Sequence, residues 1–169
     1  MNIAQLVFCW PREAKYSCEP ETYEGWAIEH HSLELGTTPL RVGDIRHWED
    51  LDWKVAKIEA YAAQGDTHSR FSVVMLTLDG AEPQHDPWDD DDPQLMSIYI
   101  SGEDFVFGWP EHSEFLPKLG GSAPQLDGWE VASLQDFEGL HVTNSYTRVR
   151  VCWCAPTRVS EPAVAMASA

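Results

Sequence analysis

The sequence predicts a mainly β, α+β domain: a small antiparallel barrel or sandwich with one or two short helices. Three observations point there. Eight Trp, six Phe and five Tyr among 169 residues favour pleated surfaces, on which large flat side chains pack half-buried. Short apolar runs alternate along the chain with Gly, Pro and Asp punctuation. A chain of this length buries roughly two-thirds of its unfolded surface, so it needs no disulfide staples.

Ile3 to Trp10 is an apolar run closed by Pro11, short enough for a buried strand. The polar stretch that follows holds Pro11 and Pro20 and reads as a surface loop. Trp26 to Leu35 alternates imperfectly, and a bulge near His30 and His31 would bring Leu33 and Leu35 into phase with Trp26 and Ile28. Gly36 to Pro39 is turn chemistry.

From Leu40 to Tyr61 two readings compete. As a hairpin, Ile45 to Trp48 and Trp53 to Ile58 flank Glu49 to Asp52, and a slip in phase after Val55 brings Ile58 inward. As a helix, Leu51, Val55, Ile58 and Ala62 form one stripe and Gly65 stops it. The hairpin is preferred, and a buried Trp53 is its signature. Phe71 to Leu78 is an unbroken apolar strand ended by Asp79-Gly80. Residues 81–94 carry three prolines and four consecutive aspartates, which mark an exposed loop and a module boundary. Leu95 to Ser101 pairs with Phe105 to Trp109 through Gly102 to Asp104. A short helix is expected over Glu111 to Leu116, stopped by Pro117, and Trp129 to Leu134 and Tyr146 to Trp153 complete the strands. The expected organisation is a barrel-like module over 1–80, a loop over 81–94, a second β-rich module over 95–156 packed on the first, and a disordered tail over 157–169. No repeat of fixed period stands out.

The succession Val42-Gly43-Asp44, Trp53-Lys54-Val55 and Ile58-Glu59, followed by the strand at Phe71, resembles small uncharacterised acidic proteins of cyanobacterial genomes with an SH3-like barrel pattern. The resemblance implies a fold and carries no activity.

Charge restricts function more than any motif does. Asp and Glu number 28 against 11 Lys and Arg, a net charge of -17. Such a surface repels phosphates, and the clustered cations that release counterions from a nucleic-acid backbone are missing. From Asp79 to Glu138 there are 15 acids and one base, Lys118. This one-sided field predicts a non-enzymatic protein–protein interaction or regulatory module for a partner with a basic surface. Asp86, Asp89, Asp90, Asp91 and Asp92 would steer the partner, with Trp88, Phe107 and Trp109 as aromatic anchors.

Two rivals use other residues or another partner. His112, Glu114, Cys152 and Cys154 suggest a zinc-dependent hydrolase or deaminase-like enzyme, although the cysteines are one residue apart rather than two. An inhibitor that imitates nucleic acid would share the acidic surface. The aspartates after His85 offer oxygen ligands to a hard cation but lack the glycine of a calcium loop. There is no Gly-x-Ser-x-Gly step, His-Glu-x-x-His step or glycine-rich phosphate loop, so no catalytic residue, cofactor or resident metal is expected. Four cysteines are too few for a disulfide scaffold, and no apolar stretch approaches the ~20 residues of a membrane helix. A cytoplasmic protein without membrane contact is the expectation.

Overall fold

Nine of the apolar runs pair as strands in a computed structural model that describes residues 1–11, 25–36, 38–65, 68–83, 94–108, 116–142 and 144–157. They are β1 (Asn2–Pro11), β2 (Trp26–Leu35), β3 (Ile45–Trp48), β4 (Leu51–Ala63), β5 (Arg70–Thr77), β6 (Gln94–Ser101), β7 (Asp104–Gly108), β8 (Trp129–Gly139) and β9 (Tyr146–Pro156). All belong to one sheet in the order β2-β1-β5-β4-β8-β9-β6-β7, with β3 paired to β4 off this path. The sheet curls until its end strands approach: the ring of His31 on β2 lies 5.4 Å from that of Phe107 on β7. The result is a nearly closed, barrel-like fold.

Two expectations need correction. The sheet is mixed rather than antiparallel, because β1 pairs with β5, and β6 with β9, in parallel. No helix occurs among the described residues. The helical stripe of Leu51, Val55 and Ile58 is a strand with a register shift between Val55 and Lys57, which returns Ile58 to the face of Val55. Trp53 is 0% exposed, as the hairpin requires. Long-range pairing to β5 and β8 outweighs the helical propensity of this segment. The short helix expected over Glu111 to Leu116 falls, apart from Leu116, outside the described residues.

The strand order contains a duplication that no fixed period in the sequence reveals. In the first half β2 pairs antiparallel with β1, β1 parallel with β5, and β5 antiparallel with β4. In the second half β7, β6, β9 and β8 follow one another with the same senses. The registers superpose residue for residue: Val55 opposes Leu76 before the bulge of β4, and Val131 opposes Cys154 before the bulge of β8. Aligned this way, Trp53-Lys54-Val55-Ala56-Lys57-Ile58-Glu59-Ala60-Tyr61 lies over Trp129-Glu130-Val131-Ala132-Ser133-Leu134-Gln135-Asp136-Phe137. The approach to each strand matches too. Gly43 N–H donates to Val55 O and Val55 N–H to Asp44 O, and Gly120 and Gly121 make the same two bonds with Val131. Gly43 at φ 93° and Gly120 at φ 74° supply the left-handed turn that this close pairing needs. The antiparallel β4–β8 ladder, centred on Ala62 opposite Glu138, joins the two units by a local two-fold axis.

Each face of the curled sheet has its own core. The inner face is one cluster drawn from both units, including Ile3, Val7, Tyr61, Phe71 and Val73 from the first and Met96, Ile98, Phe137, Val149 and Val151 from the second. The outer face carries two clusters that the two-fold axis exchanges. Leu6, Trp53, Val55, Val74 and Leu76, with Ile58 against them, correspond to Tyr99, Trp129, Val131, Cys152 and Cys154, with Leu134. A buried carboxylate ties one end of the barrel. Glu59 accepts from Ser145 N–H at 2.9 Å, Ser145 Oγ at 3.0 Å and Tyr61 Oη at 3.2 Å, and Lys57 Nζ stands 3.4 Å away.

Candidate functional site

Departures from two-fold equivalence show where one unit carries more than the fold needs. On the outer face the first unit has a surplus of aromatic rings. Phe8 occupies the position that Ser101 holds in the second unit. Its ring stands 5.1 Å from Trp48 and packs edge-on against Trp53 at 5.2 Å. His30 stacks on Trp48 at 4.7 Å with 7° between the planes, and Trp10 lies 6.2 Å from Trp53. Trp53 is the buried floor of this cluster, its indole N–H donating to Trp48 O at 3.3 Å. Trp48 and His30 are half-buried, while Trp10 and Leu51 are exposed at 38% and 41%. A connected aromatic surface of this kind offers rings to a ligand at little entropic cost.

Carboxylates stand at its edge. Trp48 pairs directly with Leu51, so Glu49-Asp50 forms a two-residue hairpin loop with φ of 49° and 59°. A type I′ turn requires that backbone, and its preferred occupants are Asn-Gly, Asp-Gly or Gly-Gly. Glutamate at the first position carries strain that a simple connection would avoid. Both side chains are exposed. The neighbouring polar groups are already engaged: Arg46 pairs with Glu34 at 3.0 Å, and His47 Nδ1 lies 3.1 Å from Asp52 Oδ1.

On the inner face the departures are polar. Gln5 stands where the second unit has Ile98, and His31 where it has Phe105. The Gln5 amide nitrogen lies 3.3 Å from His31 Nδ1. Burial lowers the His31 pKa below 6.5, helped by the adjacent His30, so the ring is neutral at pH 7.

A cleft of about 480 Å³ opens beside β8, lined by Gln64, Gly65, Ser133, Gln135, Asp136 and Trp153 among others. It marks the splay of β4 from β8 beyond the bond of Gln64 N–H to Asp136 O, and Leu140 N–H to Ala60 O is its two-fold equivalent. The Asp136 carboxylate takes two bonds from Arg150, at 2.6 and 2.7 Å, which hold its pKa below the ordinary value. The cleft is closed on one side by this structural ion pair.

The residues singled out in the sequence fare unequally. Asp86, Trp88, Asp89, Asp90, Asp91, Asp92 and Trp109 lie outside the described residues, as do His112 and Glu114. Phe107 is half-buried on the inner face of β7, packed at the seam against the core. Cys152 and Cys154 take the places of Val74 and Leu76 in the outer cluster, which makes them packing residues. Desolvation pushes the Cys152 thiol up to about 12 and raises that of Cys154. Among the described residues no three His, Cys, Asp or Glu side chains converge as metal ligands, and no helix is long and apolar enough to cross a membrane.

The aromatic cluster was within reach of the sequence, because Trp48 and Trp53 flank an acidic tetrapeptide. Trp10 and His30 were not, since only the β1–β2 ladder brings them there. No family model matches this chain, and neither does any curated protein or solved structure with which it was compared.

Proposed function

We propose that the protein is a non-enzymatic binding module that takes a basic segment of a partner protein on the aromatic outer face of its first unit. One observation carries the reading: Trp10, His30 and Trp48 gather with Phe8 over the buried Trp53 on a face whose two-fold counterpart carries fewer rings among the described residues, Tyr99 and Trp129, beside a turn that places two carboxylates at a backbone cost. An arginine or lysine laid across these rings gains from the ring quadrupole as well as from Glu49 and Asp50. The acidic tract Asp86 and Asp89 to Asp92, with Trp88 and Trp109, is assigned the longer-range part: it raises the local concentration of a cationic partner before contact. A net charge of -17 makes this attraction general and disfavours a phosphate backbone as ligand.

The test is a titration of the intact protein with an arginine-rich peptide, followed by tryptophan emission and calorimetry from about 0.02 to 0.5 M salt. Affinity should fall as salt rises, and emission should change on binding. An affinity that is flat across ionic strength sinks the proposal. Competition by duplex DNA for a recovered natural partner would instead identify an inhibitor that imitates nucleic acid.

A further inference from the structure

We propose that the interior of the barrel, reached between β2 and β7, binds a small apolar molecule carrying one hydrogen-bond donor, such as a hydroxyl, and that Gln5 is the residue that reads the donor. This site is independent of the aromatic outer face.

The seam is the only interruption in the ring of strands: β2 and β7 are the two ends of the strand order, and no ladder joins them among the described residues. Side chains that face inward there are not fully enclosed. Trp26, Ile28 and Leu33 of β2, and Phe105 and Phe107 of β7, pack on the inner core yet remain half-buried. Directly behind them Val7, Ile98 and Val151 are 0% exposed. The seam thus gives onto an apolar wall at the mouth of a barrel, a setting in which small-molecule sites recur.

One group in that wall is polar and only half satisfied. Gln5 is 0% exposed, and its Oε1 has no hydrogen-bond partner among the described residues. An orphaned buried amide oxygen destabilises a fold, whereas an apolar side chain of similar size would not. The molecule displays that alternative, because the two-fold position holds Ile98. The amide is also oriented. Its nitrogen donates to His31 Nδ1, so the neutral ring carries its proton on Nε2 and the Gln5 oxygen is left as the acceptor. Of the other buried hydroxyls, those of Ser97 and Ser101 sit on β6 between the inward-facing Met96, Ile98 and Ile100 and so face the other way, while that of Tyr146 belongs to the inner face beside Tyr61, at the start of β9. The seam therefore pairs an aromatic and aliphatic lining with the acceptor of Gln5. Its complement is an apolar body with one donor.

The experiment compares octanol with heptyl methyl ether, matched in heavy atoms and differing in the donor, by calorimetry and tryptophan fluorescence on the intact protein. Octanol should bind saturably, one molecule per chain, about tenfold more tightly than the ether. Gln5→Leu should fold, since it fills the site with an apolar group, and should bring octanol down to the affinity of the ether. Three results overturn the proposal: no saturable binding of octanol up to its solubility limit, equal affinity for alcohol and ether in the unaltered protein, or a preference for the alcohol that survives Gln5→Leu.

Discussion

Replacing Glu49-Asp50 by Asn-Gly should make the protein more stable and a poorer binder of basic peptides. Both residues hold positive φ, 49° and 59°. A side chain with a Cβ in this region costs about 1 kcal/mol or more, and less for aspartate, whose short polar side chain tolerates it. Glu49→Asn removes most of that strain at the first position. Asp50→Gly relieves the second but returns part of the gain, because glycine has more conformational freedom to lose on folding. The net expectation is a stabilisation of about 1 kcal/mol, which for a chain of this size raises Tm by roughly 2–4 °C. Urea unfolding measures it: the midpoint should rise and the m-value should not change. The same variant loses two carboxylates beside Trp48 and should bind the arginine-rich peptide more weakly and with less salt dependence. A variant with unchanged or lower stability would refute the claim that the native turn is strained. Unaltered peptide affinity in a stabilised variant would separate the strain from binding and refute its functional meaning.

Other perturbations test the frame around these sites. Glu59→Ala strips the acceptor from Ser145 and Tyr61 and should cost about 3 kcal/mol in denaturant unfolding, since it leaves buried donors without their carboxylate. Asp136 has a folded pKa below its ordinary 3.8, so its contribution is complete above that value and is lost as pH falls through the lowered pKa. Asp136→Asn should therefore destabilise the protein at neutral pH and flatten the acid limb of its stability profile below about pH 4. Cys9 and Cys152 are 0% exposed, and Cys152 is protonated at neutral pH. Both should resist a thiol reagent at pH 8 and react once denaturant is added, and labelling followed by peptide mass mapping reads this directly.

The hairpin illustrates how far the sequence reached. Ile45 to Trp48 and the phase slip before Ile58 follow from alternation alone, because a strand with a buried face cannot tolerate a one-residue error without turning its apolar side chains outward. The bulge in β2 also falls where alternation fails, opposite Phe8 and Cys9. The duplication was written in the chain as well, in Trp-Lys-Val-Ala set against Trp-Glu-Val-Ala, but its two copies differ at most other positions. The structure makes them comparable by matching hydrogen-bond registers instead of letters.

By itself, then, the sequence determined the mainly β character, the turns and the acidic field, which are local or additive properties of composition and pattern. Pairing sense and partner choice were decided only in three dimensions: whether β1 lies beside β5 in parallel depends on contacts nearly seventy residues apart, which no window along the chain contains. The same is true of function. Gln5 is an ordinary polar residue in an apolar run until the fold places it in a buried wall, at the position where the second unit has Ile98, with His31 holding its amide. Trp10 and Trp48 become parts of one surface only when β1, β3 and β4 meet over Trp53, because hydrophobic packing selects neighbours by burial and shape, and sequence distance does not enter.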